Sequence, residues 1–232
     1  MIELCLTTFD KEMIKEAREK YPINCYAMNP SIAVNALKNN QKPFLKEALE
    51  IREIIGQEYP FFIQVIGTTA EEMIEDARKI KEIISGNTYI KIPASKEGYR
   101  AISVLVSEGI KCSCTAVFTV NQAILAATAG AEYVAIYVNR LNNNGEDGFQ
   151  LIKEIKEIFK EHNLNCKVCA ASIKNTYQVK QSISYGAENV TVDYNLLEKM
   201  AEHSLTNSTL ERFKEDWENL FGKNIRISNM EI

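Results

Sequence analysis

The chain has 232 residues, of which 46% are hydrophobic and 25% are charged, and its formal net charge is −4. This length suits one large α/β domain or two small ones, and the composition is ordinary for a globular protein. No block of lysine and arginine marks a surface for nucleic acid. The chain starts without the pattern of a signal peptide, and no uncharged run resembles a membrane span. We therefore expect a cytoplasmic protein with neither a nucleic-acid nor a membrane partner.

Strand-like and helix-like segments alternate along the chain. Eight segments have the apolar, β-branched composition of strands, and several are apolar throughout, which is typical of parallel strands covered on both faces. They are residues 3–7, 24–28, 61–66, 89–92, 111–117, 133–138, 167–171 and 189–192. Helical periodicity falls between them, at residues 10–19, 43–56, 70–84 and 148–161.

Eight strand–helix units without an internal linker predict a single (β/α)₈ barrel over residues 1–203. A doubly wound open sheet is the alternative, although no GxGxxG follows the first strand, which disfavours a dinucleotide-binding version. A last helix at about 204–220 belongs to a C-terminal segment, residues 204–232. Its apolar stripe must be buried against its own barrel or a neighbouring subunit, and consists of Leu210, Phe213, Trp217, Leu220 and Phe221.

The chain contains six cysteines, and Cys166 and Cys169 have the CxxC spacing of metal and redox sites. Both fall in or beside a predicted strand, where positions three apart face opposite sides. The histidines, His162 and His203, lie outside any ligand spacing. We therefore predict reduced structural thiols and no metal site.

Lys91 is the most informative residue, because it sits in an apolar run that reads as a buried strand. Burial lowers the pKa of an amine, and a free amine attacks a carbonyl to form a Schiff base. The alternatives are a lysine that reaches solvent from the strand end, or one paired with a buried acid.

Other polar residues also lie at or after strand ends, where the chemistry of such barrels is found. Gln64, Thr115 and Tyr137 would be costly in an apolar interior unless they bond to one another or to water. Arg140, which follows the sixth strand, and Ser172, which follows the seventh, suit a phosphate group. Lys174 is predicted to open the next helix beside them, and Asn29 follows the second strand. A satisfied core and a surface ion pair are the alternatives for these two groups.

A series of short motifs along the chain resembles one family. They are Asn29-Pro30-Ser31, Gln64-Val65, Thr68-Thr69-Ala70-Glu71, Ile90-Lys91-Ile92-Pro93, Glu97-Gly98, Glu108-Gly109-Ile110, Thr115-Ala116-Val117, Ala129-Gly130-Ala131-Glu132-Tyr133-Val134-Ala135, Tyr137-Val138-Asn139-Arg140, Ala170-Ala171-Ser172, Trp217 and Phe221-Gly222. They resemble the transaldolase family, most closely its short fructose-6-phosphate aldolase branch, over about residues 2–225.

The resemblance implies a barrel with a Schiff-base lysine at Lys91 and no cofactor. It implies that Gln64 and Tyr137, with Thr115, hold a catalytic water, where transaldolases proper have glutamate and phenylalanine. It places a substrate phosphate at Arg140 and Ser172. We expect Lys174 to assist there, and Asn29 to orient donor hydroxyls. Ring-shaped homo-oligomers, pentamers or decamers, are also implied, with the C-terminal helix reaching a neighbour.

The chain departs from the family pattern at two places. Thr7 stands where the family's first strand ends in a catalytic aspartate, and Ala27-Met28 replaces a Thr-Thr pair. A threonine cannot move protons at neutral pH as a carboxylate can. We therefore expect a class I aldolase of the fructose-6-phosphate aldolase type, acting on a sugar phosphate. A transaldolase that transfers dihydroxyacetone and a catalytically weakened metabolite-binding barrel are the alternatives.

Overall fold

The computed structural model describes residues 2–38 and 42–230, and eight parallel strands in it close into a barrel in chain order. The strands are β1 (Glu3–Thr7), β2 (Cys25–Ala27), β3 (Phe61–Gln64), β4 (Thr88–Pro93), β5 (Cys112–Val117), β6 (Tyr133–Tyr137), β7 (Lys167–Ala171) and β8 (Asn189–Val192). The predicted (β/α)₈ barrel is confirmed, and the alternative of an open sheet is wrong, because β1 pairs with both β2 and β8.

Helices connect the strands. They are α1 (Lys11–Lys20), α2 (Pro30–Leu37), α3 (Phe44–Ile55), α4 (Ala70–Ile83), α5 (Lys96–Ser107), α6 (Val120–Thr128), α7 (Val138–Asn143), α8 (Gly148–Glu161), α9 (Thr176–Ser184), α10 (Tyr194–Ala201) and α11 (Ser204–Phe221). Capping side chains fix where the helices begin. At α4, for example, the Thr69 hydroxyl and the Glu72 carboxylate form a reciprocal capping box. None of the described helices is long and apolar enough to cross a membrane.

Side chains alternate between the two faces of each strand, and this alternation positions the site. In β4, Tyr89 and Lys91 point into the barrel, whereas Ile90 packs outward beneath the helices. Three aromatic rings meet in the lower part of the barrel, with Phe62 4.8 Å from Tyr89 and 5.0 Å from Tyr133 between ring centroids. These rings fill the barrel towards the N-terminal ends of the strands.

Two predicted boundaries need correction. Lys174 does not open a helix, since α9 begins at Thr176 behind an Asn175 cap, and Lys174 lies in the loop after β7. The third strand ends at Gln64 and not at residue 66, because Ile66 and Gly67 donate their backbone N–H groups to the Asp76 carboxylate instead of continuing the sheet.

The chain divides into two compact units, Met1–Leu196 and Leu197–Ile232. The second contains α11 and a 3₁₀ turn, Ile227–Asn229. No residue of α11 is buried, although the Trp217 indole donates to the Ile225 carbonyl at 2.8 Å. The predicted apolar stripe is exposed at Leu210, Phe213, Leu220 and Phe221 and half-buried at Trp217. The division into residues 1–203 and 204–232, and the surface that covers α11, stay predictions.

Candidate active site

A cavity of about 490 Å³ opens within the first unit, where the strands end. Its volume lies in the range of small-molecule sites. The predicted site residues that line it are Thr7, Asn29, Lys91, Tyr137, Arg140, Ser172 and Lys174. They come from seven positions spread along the chain, and barrel closure brings them together as the strand-end argument predicts.

Lys91 is 8% exposed, and its ammonium is poorly compensated. Among the described residues it has one hydrogen-bond acceptor, the Met28 carbonyl, at the long distance of 3.4 Å. No carboxylate of the described chain pairs with it, so neither alternative from the sequence, an acid pair or a solvated strand end, describes this lysine. A buried amine with so little compensation, facing a cavity, has the setting in which lysine acts as a nucleophile.

Tyr137 lies at the end of β6 with its hydroxyl 3.2 Å from the Thr115 hydroxyl. Thr115 is fully buried and reaches Tyr137 because the register of β5 against β6 shifts at this point. Ala116, at the shift, adopts a φ of 59°, which is costly for a residue with a Cβ. The irregularity therefore holds the phenol of Tyr137 at the wall of the cavity.

Gln64 is paired in register with Lys91 but is not among the residues that line the main cavity. It is among the residues that line a separate groove of about 330 Å³, which also include Met28 and Val34. The Gln64 amide oxygen is buried without a partner among the described residues. The catalytic role of Gln64 therefore stays a prediction.

The cationic rim of the cavity is formed by Arg140 and Lys174. The Arg140 guanidinium lies 4.9 Å from the Tyr137 ring, and no carboxylate of the described chain pairs with it, which argues against the surface ion pair. Ser172 follows β7 directly, with a φ of 61°. An unpaired guanidinium and an ammonium beside a tight turn form a setting suited to an anion.

Gln178 fixes this rim and was missed by the sequence analysis. Its amide oxygen accepts the Lys174 backbone N–H at 2.8 Å, and its amide nitrogen donates to the Asn139 side chain at 3.0 Å. The loop after β7 is thereby tied to α7, which carries Arg140. A buried glutamine in the first turn of a helix was the available signal.

Thr7 faces the cavity at the end of β1, and its hydroxyl is buried without a hydrogen-bond partner in the described chain. Ala27 also lines the cavity, whereas Met28 lines the neighbouring groove. Asp193, after β8, is the single carboxylate among the described lining residues. The sequence analysis missed it, although a polar residue directly after the eighth strand was a visible signal.

The described residues contain no group of three histidine, cysteine or acidic side chains placed to hold a metal ion. All six are free and buried. Burial raises the pKa of the Cys112 and Cys114 thiols to about 12, and it raises the pKa of Cys166 and Cys169 well above the ordinary range. Protonated, buried thiols agree with the predicted structural role.

The family model described as transaldolase/fructose-6-phosphate aldolase matches residues 4–231. The chain belongs to this family. It is 38% identical over 212 residues to a probable transaldolase of Thermoanaerobacter sp. (strain X514), with 91% of this chain and 95% of the relative covered. It is 38% identical over 229 residues to one from Caldicellulosiruptor saccharolyticus, with 96% and 100% covered.

A third probable transaldolase, from Brachyspira hyodysenteriae, is 36% identical over 218 residues, with 94% of this chain and 98% of the relative covered. The family resemblance drawn from the motifs is confirmed, and the chain is an enzyme of the aldolase and transaldolase type.

Proposed function

We propose that the chain is a class I aldolase that works through a Schiff base on Lys91. It reversibly cleaves a sugar phosphate into a ketone donor and a phosphorylated aldehyde. The observation that carries the proposal is a buried ammonium with one long hydrogen bond, set in the wall of a cavity whose rim is cationic.

In the synthetic direction the Lys91 amine adds to the ketone carbonyl, and loss of water gives an iminium ion. Loss of a proton from the carbon beside the iminium gives an enamine, with the cationic nitrogen as the electron sink. The enamine carbon attacks the aldehyde carbon, and the new alkoxide takes up a proton. Water then hydrolyses the iminium, which releases the product and restores the amine.

Tyr137 supplies and accepts the protons, directly or through a water bound in the cavity. Its hydroxyl has the buried Thr115 hydroxyl as a partner at 3.2 Å, which holds the phenol in one orientation. Gln64, the partner of Lys91 in the strand register, joins this group through its side-chain amide, whose oxygen is buried without a partner among the described residues. Asn29, which caps α2 and lines the cavity, orients hydroxyls of the donor.

Arg140, Ser172 and Lys174 hold the phosphate of an aldehyde such as glyceraldehyde 3-phosphate. All three are among the residues that line the cavity, and Gln178 ties the loop after β7, which carries Ser172 and Lys174, to α7, which carries Arg140. A guanidinium offers two parallel donors to a phosphate, and an ammonium adds a point charge.

Transfer of dihydroxyacetone between two sugar phosphates is the second candidate, and the relatives named probable transaldolases favour it. Tyr137 and Gln64 favour the aldolase, since the phenol and the amide are the residues that the aldolase branch carries. The test is to supply fructose 6-phosphate alone or with erythrose 4-phosphate. Release of free dihydroxyacetone without an acceptor supports the aldolase; strict dependence on erythrose 4-phosphate supports the transferase.

A third outcome, no turnover in either assay, would leave the weakened metabolite-binding barrel, which Thr7, Ala27 and Met28 favour.

We propose in addition that the chain assembles into a ring. The exposed stripe of α11 would be covered by a neighbouring subunit in a ring of five or ten chains. Removal of residues 204–232 should then reduce the mass measured by light scattering, and an unchanged mass would contradict this packing.

A further inference from the structure

Asp193 is a charged residue of the cavity to which the proposed mechanism gives no role. It directly follows β8, its side chain is exposed, and it is the single carboxylate among the described residues that line the cavity. Like charges in one site repel each other. A carboxylate in a cavity that takes a phosphate is therefore unfavourable unless the same ligand also offers it a hydrogen bond.

The strand order places Asp193 at the phosphate end of the cavity. β8 pairs with β7, and the loop after β7 carries Ser172 and Lys174 of the proposed phosphate site. Lys91 is on β4, which is four strands away from β8 in either direction around the closed barrel. Asp193 therefore lies beside the phosphate loop and across the barrel from the strand that carries the amine.

Local contacts orient the Asp193 carboxylate and leave one of its oxygens free. Asp193 directly precedes α10, and its Oδ1 accepts the Leu196 backbone N–H at 2.8 Å as a helix cap. Its Oδ2 has no hydrogen bond in the described chain, and neither Arg140 nor Lys174 forms an ion pair with it there. The free oxygen is thus an oriented hydrogen-bond acceptor without a protein partner among the described residues.

The chemistry of this acceptor determines what a ligand must present to it. An ionised carboxylate accepts hydrogen bonds and donates none, so its partner on the ligand has to be a donor. In a phosphorylated hydroxyaldehyde, the donor nearest to the phosphate is the hydroxyl on the adjacent carbon. Neighbouring strands lie about 4.8 Å apart, which is comparable to the separation of a phosphate and a hydroxyl on adjacent carbons.

We infer that Asp193 determines the specificity for the aldehyde by accepting a hydrogen bond from the hydroxyl beside its phosphate. This inference rests on the proposed function and on its phosphate site, and it adds the chemical class of the aldehyde, a phosphorylated 2-hydroxyaldehyde. A phosphorylated aldehyde without that hydroxyl meets only the repulsion between its phosphate and the carboxylate. Attraction of one aldehyde and repulsion of the other both contribute to the selectivity.

The test compares two aldehydes, glyceraldehyde 3-phosphate and 3-oxopropyl phosphate, which lacks the hydroxyl, with dihydroxyacetone or hydroxyacetone as the ketone. The wild type should prefer glyceraldehyde 3-phosphate about tenfold in kcat/KM, the usual effect of one hydrogen bond to a charged group. Asp193→Asn keeps an oxygen that caps α10 and removes the charge. It should lower kcat/KM about tenfold for glyceraldehyde 3-phosphate, mainly through KM, and leave the value for 3-oxopropyl phosphate level or higher.

Asp193→Ser is the second variant, because a serine also caps a helix but has no second oxygen, and it should change the ratio of the two aldehydes in the same direction. Asp147→Asn is the matched control. Asp147 caps α8 by accepting the backbone N–H groups of Phe149 and Gln150, and it is not among the residues that line the cavity. This control should leave the ratio of the two aldehydes unchanged.

Equal use of the two aldehydes by the wild type would overturn the role of Asp193. An equal loss with both aldehydes in the Asp193 variants, or no change with either, would overturn it as well. These failures leave the Schiff-base function intact if each ketone, incubated with borohydride, still labels Lys91 in the wild type and in Asp193→Asn. If no ketone labels Lys91, the proposed function itself is wrong, and this inference falls with it.

Discussion

Two buried cations of this chain have opposite surroundings. Arg52, on the inner face of α3, is fully buried, and its guanidinium donates to the carbonyls of Gly56, Tyr59 and Asn87 and to the Thr88 hydroxyl at 2.6–3.2 Å. Burial lowers its pKa to about 10, so it stays charged at neutral pH. Lys91, at a similar depth, has one acceptor at 3.4 Å.

The difference in hydrogen bonding distinguishes a cation that stabilises the fold from a cation that is free to react with a substrate. A buried charge with several hydrogen bonds joins parts of the fold, as Arg52 joins the end of α3 to the start of β4 through its two terminal nitrogens, although its Nε–H has no partner in the described chain. A buried charge left nearly unsatisfied destabilises the fold and persists where it faces a cavity that receives a substrate.

The largest effects are expected when each cation is replaced by methionine, which keeps much of the volume. Lys91→Met should abolish turnover, by at least about 10⁴-fold, because the nucleophile is lost. Its free energy of unfolding should stay level or rise, since an uncompensated charge is removed. Arg52→Met should lower the free energy of unfolding by about 2–5 kcal/mol, because several buried acceptors lose their donors.

Urea denaturation and steady-state kinetics on both variants check this pair. A Lys91→Met protein as destabilised as Arg52→Met would show that Lys91 holds the fold, and the contrast between the two cations would be lost.

The next largest effect concerns the proton carrier beside Lys91. Tyr137→Phe should lower kcat by about 10²–10⁴-fold, the usual contribution of a general acid–base group, while the amine still forms its adduct with a ketone. Single-turnover kinetics separates adduct formation from carbon–carbon cleavage. Tyr99→Phe, at a partly buried tyrosine outside the cavity lining, is the control. Equal slowing of both steps would place Tyr137 in packing and not in proton transfer.

The fold was predictable where the sequence repeats one physical pattern. Apolar strands alternate with amphipathic helices, and this alternation correctly predicted all eight strands and the closed barrel. The surroundings of Arg52 were not predictable, because its acceptors come from the turn at Gly56 and from β4. Periodicity marks the buried face of α3 through Ile51 and Ile55, but it does not show what lies opposite an arginine on that face.

The sequence predicted which side chains lie at the strand ends, but it did not predict the contacts that they make there. Alternation placed Lys91, Tyr137 and Thr7 at the cavity. The register shift at Ala116, which lets Thr115 reach Tyr137, has no sequence signal because alanine rarely adopts a positive φ. Gln64 shares the register of Lys91, yet the contact of its backbone N–H with the Met28 sulfur and its unpartnered amide oxygen could not be deduced from periodicity.

A third cation, Arg140, extends the comparison to the rim. Arg140→Ala should raise KM for glyceraldehyde 3-phosphate about ten- to a hundredfold, since one charge-assisted hydrogen bond to the phosphate is lost. KM for unphosphorylated glyceraldehyde should hardly change. Arg100→Ala serves as the control, because Arg100 is a surface arginine paired with Glu71 at 2.6 Å. An equal rise in KM for both aldehydes would assign Arg140 to structure, alongside Arg52.

The smallest effect is expected at Thr7, a buried polar group without a partner. Thr7→Asp should raise kcat/KM for fructose 6-phosphate cleavage by about tenfold, because the carboxylate accepts a hydrogen bond from a donor hydroxyl. The same change should lower the activity with hydroxyacetone, because an unpaired carboxylate is costly beside the methyl group of that donor. Thr7→Asn is the uncharged control of similar size. No change in either reaction would mean that Thr7 does not contact the donor.

The most direct test of the central claim is to locate the covalent adduct. The protein is incubated with hydroxyacetone or dihydroxyacetone and sodium borohydride, digested, and analysed by peptide mass. We predict one reduced adduct, on the peptide that contains Lys91, which disappears in Lys91→Met and persists in Arg52→Met. An adduct on another lysine, or no adduct with any ketone donor, would contradict the assignment of Lys91 as the Schiff-base nucleophile.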